Sequence, residues 1–223
     1  MSLLEPKPEG LSEEPLINME LKDEVGNIKI KETKEDDVIV EVENKEGRKL
    51  VLNHFLPEGY EIRVFYALPD EQLGHSHSYR SSRVYLELNQ AKRDGWKLFL
   101  VSILHEIGHA VVAQGRPEDA KEKETVAWNS HGLKRLLELQ SKDERSAWAY
   151  TIKQLRGVLK ELDIPIQLFF SSNKEFMEWV NKKLVNKKRG DMDLVESLTE
   201  TTEQEHQELL NYISKLYTTK DEK

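Results

Sequence analysis

Cysteine is absent from this chain of 223 residues, which excludes disulfides, thiolate metal ligands, zinc fingers and a cysteine nucleophile. Any metal chemistry falls to histidine, aspartate and glutamate. Positive charge is short as well, with 33 Lys and Arg against 41 Asp and Glu and a net charge of -8, so general phosphate binding is excluded and no nucleic-acid partner is expected. The basic run Lys182-Lys183 to Lys187-Lys188-Arg189 is the local exception, and it reads as a solvated helix face. Residues 1–17 hold acids and three prolines in place of a basic segment followed by an apolar one, so no export signal is read and a cytoplasmic location is expected. Long apolar runs are missing too. The longest, 98–113, is interrupted by His105, Glu106 and His109 and falls short of the roughly 20 residues of a membrane span, so it reads as a buried helix.

What is present is an ordinary allotment of 38% hydrophobic residues, concentrated in particular segments, in a chain long enough for one domain with appendages. Residues 1–20 carry Pro6, Pro8 and Pro15 without periodicity and read as a flexible leader. Short β-rich runs follow at 27–31, 38–42, 49–53, 61–68 and 83–88, the second and third flanking the turn-like Asn44-Lys45-Glu46-Gly47 and predicted to pair as a hairpin. Residues 69–82 form a polar loop in this reading. A helix is predicted over 96–113, with Asp94 as a candidate cap, and a second over 117–140. Ser141-Lys142-Asp143-Glu144 has capping-box form and is predicted to open a third helix that ends before Pro165. Two further amphipathic stretches cover 173–187 and 193–217. The fold class is therefore α+β: a small sheet followed by helices, divided into a leader at 1–20, a main domain at 21–170 and a C-terminal helical extension at 171–223.

The chemistry concentrates in His105-Glu106-Ile107-Gly108-His109. Residues four apart share one helix face, so His105 and His109 can direct ring nitrogens at one ion. Glu106, beside His105 on the helix, can reach a metal-activated water without ligating the metal, which suits a general base. Leu98, Phe99, Val101, Leu104, Ile107, Val111 and Val112 make the helix apolar around much of its circumference, so the three polar residues would be buried. Burial without partners would cost several kcal/mol, a cost that one shared metal ion relieves. Gly108 in mid-helix gives up about 0.5 to 1 kcal/mol relative to alanine, which implies that another element packs closely there.

Residues 60–165, through Leu104-His105-Glu106-Ile107-Gly108-His109-Ala110 and a downstream Glu-x-x-Ala-Trp, resemble the gluzincin metallopeptidases, in particular the compact minigluzincin-like members. The resemblance implies a sheet before the active-site helix, one Zn2+ ion, and a third ligand from a glutamate on a later helix. Both Glu144-Arg145-Ser146-Ala147-Trp148 and Glu124-Thr125-Val126-Ala127-Trp128 fit the downstream pattern. Glu144 is preferred for the longer apolar stripe of its helix. Glu124 is the alternative and would bring His131, seven residues on, to the same face as an oxyanion stabiliser. No third histidine follows His109 on the metzincin schedule. The resemblance also makes the strand at 83–88, with Tyr85 on it and Tyr79 nearby, an edge strand that aligns an extended substrate, although a core or surface role suits either tyrosine. His75 and His77 read as polar loop surface, His54 and His206 as solvated. The helix at 193–217 reads as a packing element, with a latency arm over the cleft as the family-based alternative. The expected function is a zinc-dependent endopeptidase acting on protein or peptide substrates, with no membrane partner. The competing expectation is a catalytically silent zinc-binding regulatory protein on the same scaffold.

Overall fold

A computed structural model describes residues 17–33, 37–68, 74–126, 130–196 and 202–216. The fold is α+β. Four strands form an antiparallel meander, β1 (Asn18–Lys22), β2 (Gly26–Glu32), β3 (Val38–Asn44) and β4 (Lys49–Val51). Alternation sets its faces: Ile28 pairs with Val42 and Ile30 with Val40, and all four are fully buried while their neighbours face out. The hairpin between β3 and β4 is present. Strand β1 begins at Asn18, inside the stretch 1–20 read as a leader. Met19 and Leu21 alternate inward there and sit opposite Ile30 and Leu21's partner Ile28, so the segment gains a buried face by pairing. The rest of the leader, residues 1–16, lies outside the described residues.

After a 3-10 turn (Leu52–Phe55) a second sheet holds β5 (Glu61–Phe65), β6 (Ser76–Ser78) and β7 (Arg83–Glu87) in the order β5-β7-β6. Strand β5 runs parallel to β7, and β6 runs antiparallel to it. Two expectations are corrected here. The strand carrying Tyr85 is central in this sheet, and an edge is instead supplied by β6, from the segment read as a polar loop. Ser76-His77-Ser78 has no apolar alternation to announce a strand; its pairing is set by the backbone of β7.

Helix α1 (Leu88–Gly115) starts eight residues earlier than predicted, because the buried carboxylate of Glu87 accepts the N–H groups of Asn89 and Gln90 and caps it. At Gly95 the chain adopts φ 67° and ψ -177°, a kink that glycine tolerates, and then continues helically. By length and composition alone α1 would suffice to cross a bilayer, but most of its apolar segment is buried among the other elements, as in a core helix. Helix α2 (Pro117–Thr125) follows, with proline in its first turn.

Helix α3 (Ser130–Glu161) runs unbroken through Ser141, so the capping-box reading is corrected. No glycine or proline lies between residues 133 and 156. Buried Leu133, Leu136, Leu137, Leu139, Ser141 and Ala147 carry one buried surface across the supposed boundary, and tertiary packing outweighs the local cap signal. The turn α4 (Ile166–Phe169), α5 (Asn173–Glu196) and α6 (Glu203–Leu216) complete the chain. The main core joins the first sheet, α1, the C-terminal half of α3 and the first turns of α5. A smaller cluster of Leu133, Leu136, Leu137, Val195, Leu209 and Ile213 joins the opposite half of α3 to α5 and α6.

Candidate metal centre

Helices α1 and α3 touch at Gly108. A β-carbon placed there would lie 2.9 Å from the Ala147 carbonyl oxygen and 3.2 Å from its Cα, so hydrogen at this position and a methyl at Ala147 are what let the backbones approach. One turn before Ala147 stands Glu144, which this contact brings over the histidine pair. His105 Nε2 and His109 Nε2 lie 3.1 Å apart, Glu144 Oε2 is 3.3 Å from His105 Nε2, and Glu144 Oε1 is 3.7 Å from His109 Nε2. Among the described residues these three form a group whose ligand atoms all lie within 4.8 Å of one another. Their side chains are 12%, 9% and 18% exposed, which keeps bulk water from solvating them freely.

The donor set suits a divalent cation. Both Nε2 atoms and the carboxylate lie close together, and two nitrogens plus a carboxylate oxygen are a ligand set that several divalent metals accept. The buried Nδ1 of His105 has no hydrogen-bond partner. His109 Nδ1 lies 3.3 Å from Asp143 Oδ2, near enough for electrostatic coupling but off the line of a good hydrogen bond. Burial by itself would lower the pKa of His109, yet Asp143, Glu106 and Glu144 together outweigh burial and raise it. That concentration of negative charge is what a bound cation would neutralise. Burial acts against ionisation of Glu144 as well, but the two histidines and Lys187 hold its carboxyl below the ordinary value. Asp143 is depressed in the same way by His109 and by Lys123, whose ammonium donates to it.

Two aromatic contacts fix the histidine rings. Trp148 stacks on His105 with centroids 4.1 Å apart, and His77 of strand β6 stacks on His109 at 5.0 Å and 5°. Burial, reinforced by His109, pushes His77 down to about 4, so its ring is neutral at pH 7. His75, just before β6, is also an inward side chain, 5% exposed. Its Nδ1 accepts the Glu87 N–H at 3.1 Å, and its ring meets Phe99 edge-on. The loop-surface reading of both histidines is thereby corrected. The available signal was their spacing of two, which in an extended segment turns both side chains to the same side.

Glu106 lines a cavity of about 430 Å³ together with His105, Glu144 and Trp148. Tyr85 does not line it; its hydroxyl lies 3.3 Å from Ser81 Oγ. Glu124 belongs to α2 and His131 to the first turn of α3, but their side chains lie outside the described residues. Asp143, Lys123, His77 and Trp148 were not singled out as site residues from sequence. Asp143 directly precedes Glu144, and that acidic pair was its only local sign. No protein family, curated protein or solved structure matches this chain.

Proposed function

We propose that this chain is a zinc-dependent endopeptidase of gluzincin type, with His105, His109 and Glu144 holding one Zn2+ ion and Glu106 as general base. The observation that carries the reading is the convergence of three ligand side chains from two helices, beside a cavity that Glu106 also lines. When bound, zinc supplies Lewis acidity to the scissile carbonyl and to the attacking water. The carboxylate of Glu106 receives the proton of that water and hands it to the leaving amine. Asp143, 3.3 Å from His109 Nδ1, acts on that ring electrostatically, and Lys123 keeps Asp143 ionised. Trp148 and His77 restrain the ligand rings and exclude water from their flanks. Edge strand β6 offers backbone groups for pairing with an extended peptide.

The test combines elemental analysis with cleavage of an unfolded protein. One zinc per chain and proteolysis are expected, and Glu106→Gln should retain the zinc while losing about 10²- to 10⁴-fold in rate. Zinc binding with no turnover of any substrate would replace the peptidase by a silent zinc-binding protein. Failure to take up zinc would remove both.

A further inference from the structure

Part of the cavity wall beside the ligand cluster belongs to α5. Trp179, Lys183 and Lys187 recur at four-residue spacing, form one stripe of that helix and line the same space as Glu106 and Glu144. Two cations of the run read from sequence as a solvated face, Lys183 exposed and Lys187 half-buried, thus also line this cavity. Trp179 is fixed edge-on against Trp148 at 5.5 Å, and the Lys183 ammonium sits over the Trp179 ring at 5.2 Å from its centroid. Lys187 is held 2.8 Å from buried Asp191 one turn further on. Among the described residues Lys183 has no carboxylate partner.

The acids lining the cavity are committed elsewhere. Asp94 accepts from Gln90 at 2.6 Å and lies 3.7 Å from His75, Glu144 faces the two histidines, and Glu106 has its proton to carry. An unmatched ammonium beside an aromatic floor, adjoining the reaction centre, is a receptor for an anion carried on the substrate.

We propose that Lys183, supported by Lys187 and the Trp179 ring, forms a subsite for a peptide carboxylate: an Asp or Glu side chain near the scissile bond, or the C-terminal carboxylate. The inference rests on the peptidase reading for the word substrate, but the binding itself is measured separately from turnover.

The experiment uses full-length Glu106→Gln protein and four versions of one short peptide, with Glu or Gln beside the central bond and a free or amidated C-terminus. Binding is read as a change in tryptophan fluorescence at low ionic strength. A carboxylate peptide should bind about tenfold tighter than the Gln, amidated peptide, and added salt should shrink the advantage. Whichever arm keeps the advantage, side chain or terminus, names the source. Adding Lys183→Met should bring the affinity ratio close to one, and Lys183→Glu should invert it. Both substitutions fall on an exposed side chain, and circular dichroism checks the fold. Equal affinity for all four peptides, binding of none, or an advantage that survives Lys183→Glu would overturn the subsite. Zinc content and hydrolysis of the Gln, amidated peptide by the unsubstituted protein report on the peptidase reading alone. A lost subsite with zinc and turnover intact is thus distinguishable from a failed enzyme.

Discussion

Between Trp148 and Leu162 helix α3 and the turn after it pack into the main core with Leu104, Ile107, Phe170 and the first sheet, whereas between Leu133 and Leu137 the same helix packs into a small cluster with Val195, Leu209 and Ile213, flanked by Val126, Met192, Leu210 and Leu216. Asp143 and Glu144 stand at the junction. The candidate third ligand is thus presented from the end of the well-anchored half, one turn from the helix contact at Gly108. The other half serves as a post for α6 and, among the described residues, contributes none to the ligand group. A ligand must be held to a fraction of an ångström, and a large core supplies that rigidity.

The comparison can be broken by unequal cavities. Phe99→Ala in the main core should cost about 3 to 5 kcal/mol and weaken zinc binding with it. Leu209→Ala in the small cluster should cost about 2 to 3 kcal/mol, speed hydrogen exchange in α6 and leave zinc affinity close to that of the parent. Denaturant unfolding and metal titration measure both. If Leu209→Ala loosened zinc as much as Phe99→Ala does, the two halves of α3 would be one unit.

A smaller effect sharpens the role of the junction. Gly108→Ala sets a methyl against the backbone of Ala147, where overpacking costs about 1 to 3 kcal/mol and the gain in helix propensity returns about 0.5 to 1. A net loss of about 1 kcal/mol and weaker zinc binding are expected. Gly157→Ala, in the same helix as Ala147 but with nothing within 4 Å of the added carbon, should stabilise the protein by about 0.5 to 1 kcal/mol and leave zinc binding unchanged. Thermal melts of the two variants decide this.

The smallest expected effect is one of pH. Without zinc, the folded pKa of His109 lies above its ordinary 6.5, so its contribution to stability is full below 6.5 and is lost as pH rises through the folded value. Zinc requires the unprotonated ring, so the gain in melting temperature on adding zinc should grow from about pH 6 to about pH 8. A flat or falling difference would detach His109 from the metal.

Much of the α+β layout was legible. The alternation in β2 and β3 and the apolar run of α1 are local signals with clear periods. Strand β1 was hidden because Met19 and Leu21 are too few to outweigh the proline-rich composition before them. Strand β6 was hidden because a pairing made through backbone groups leaves no apolar trace in Ser-His-Ser. The false break at Ser141 came from a cap-like tetrapeptide whose partners lie 20 to 39 residues away in the sequence and whose helix is packed on both sides of it. For the site, the spacing of His105 and His109 was explicit. The placement of Glu144 over the histidine pair depends on which helix meets Gly108, and Asp143 and His77 meet His109 across more than 30 residues of sequence, which no local pattern encodes.

Glu87 is not among the residues lining the cavity, yet three segments are tied to it. Its carboxylate receives the N–H of Ala67 after β5 and the first N–H groups of α1, while its own N–H holds His75 at the head of β6. Backbone donors keep it ionised despite complete burial. A single side chain thereby acts as a common rivet for the floor and the rim. A change at this position is expected to shift β6 and the start of α1 relative to the histidine pair without altering any of the three residues that could hold a metal ion.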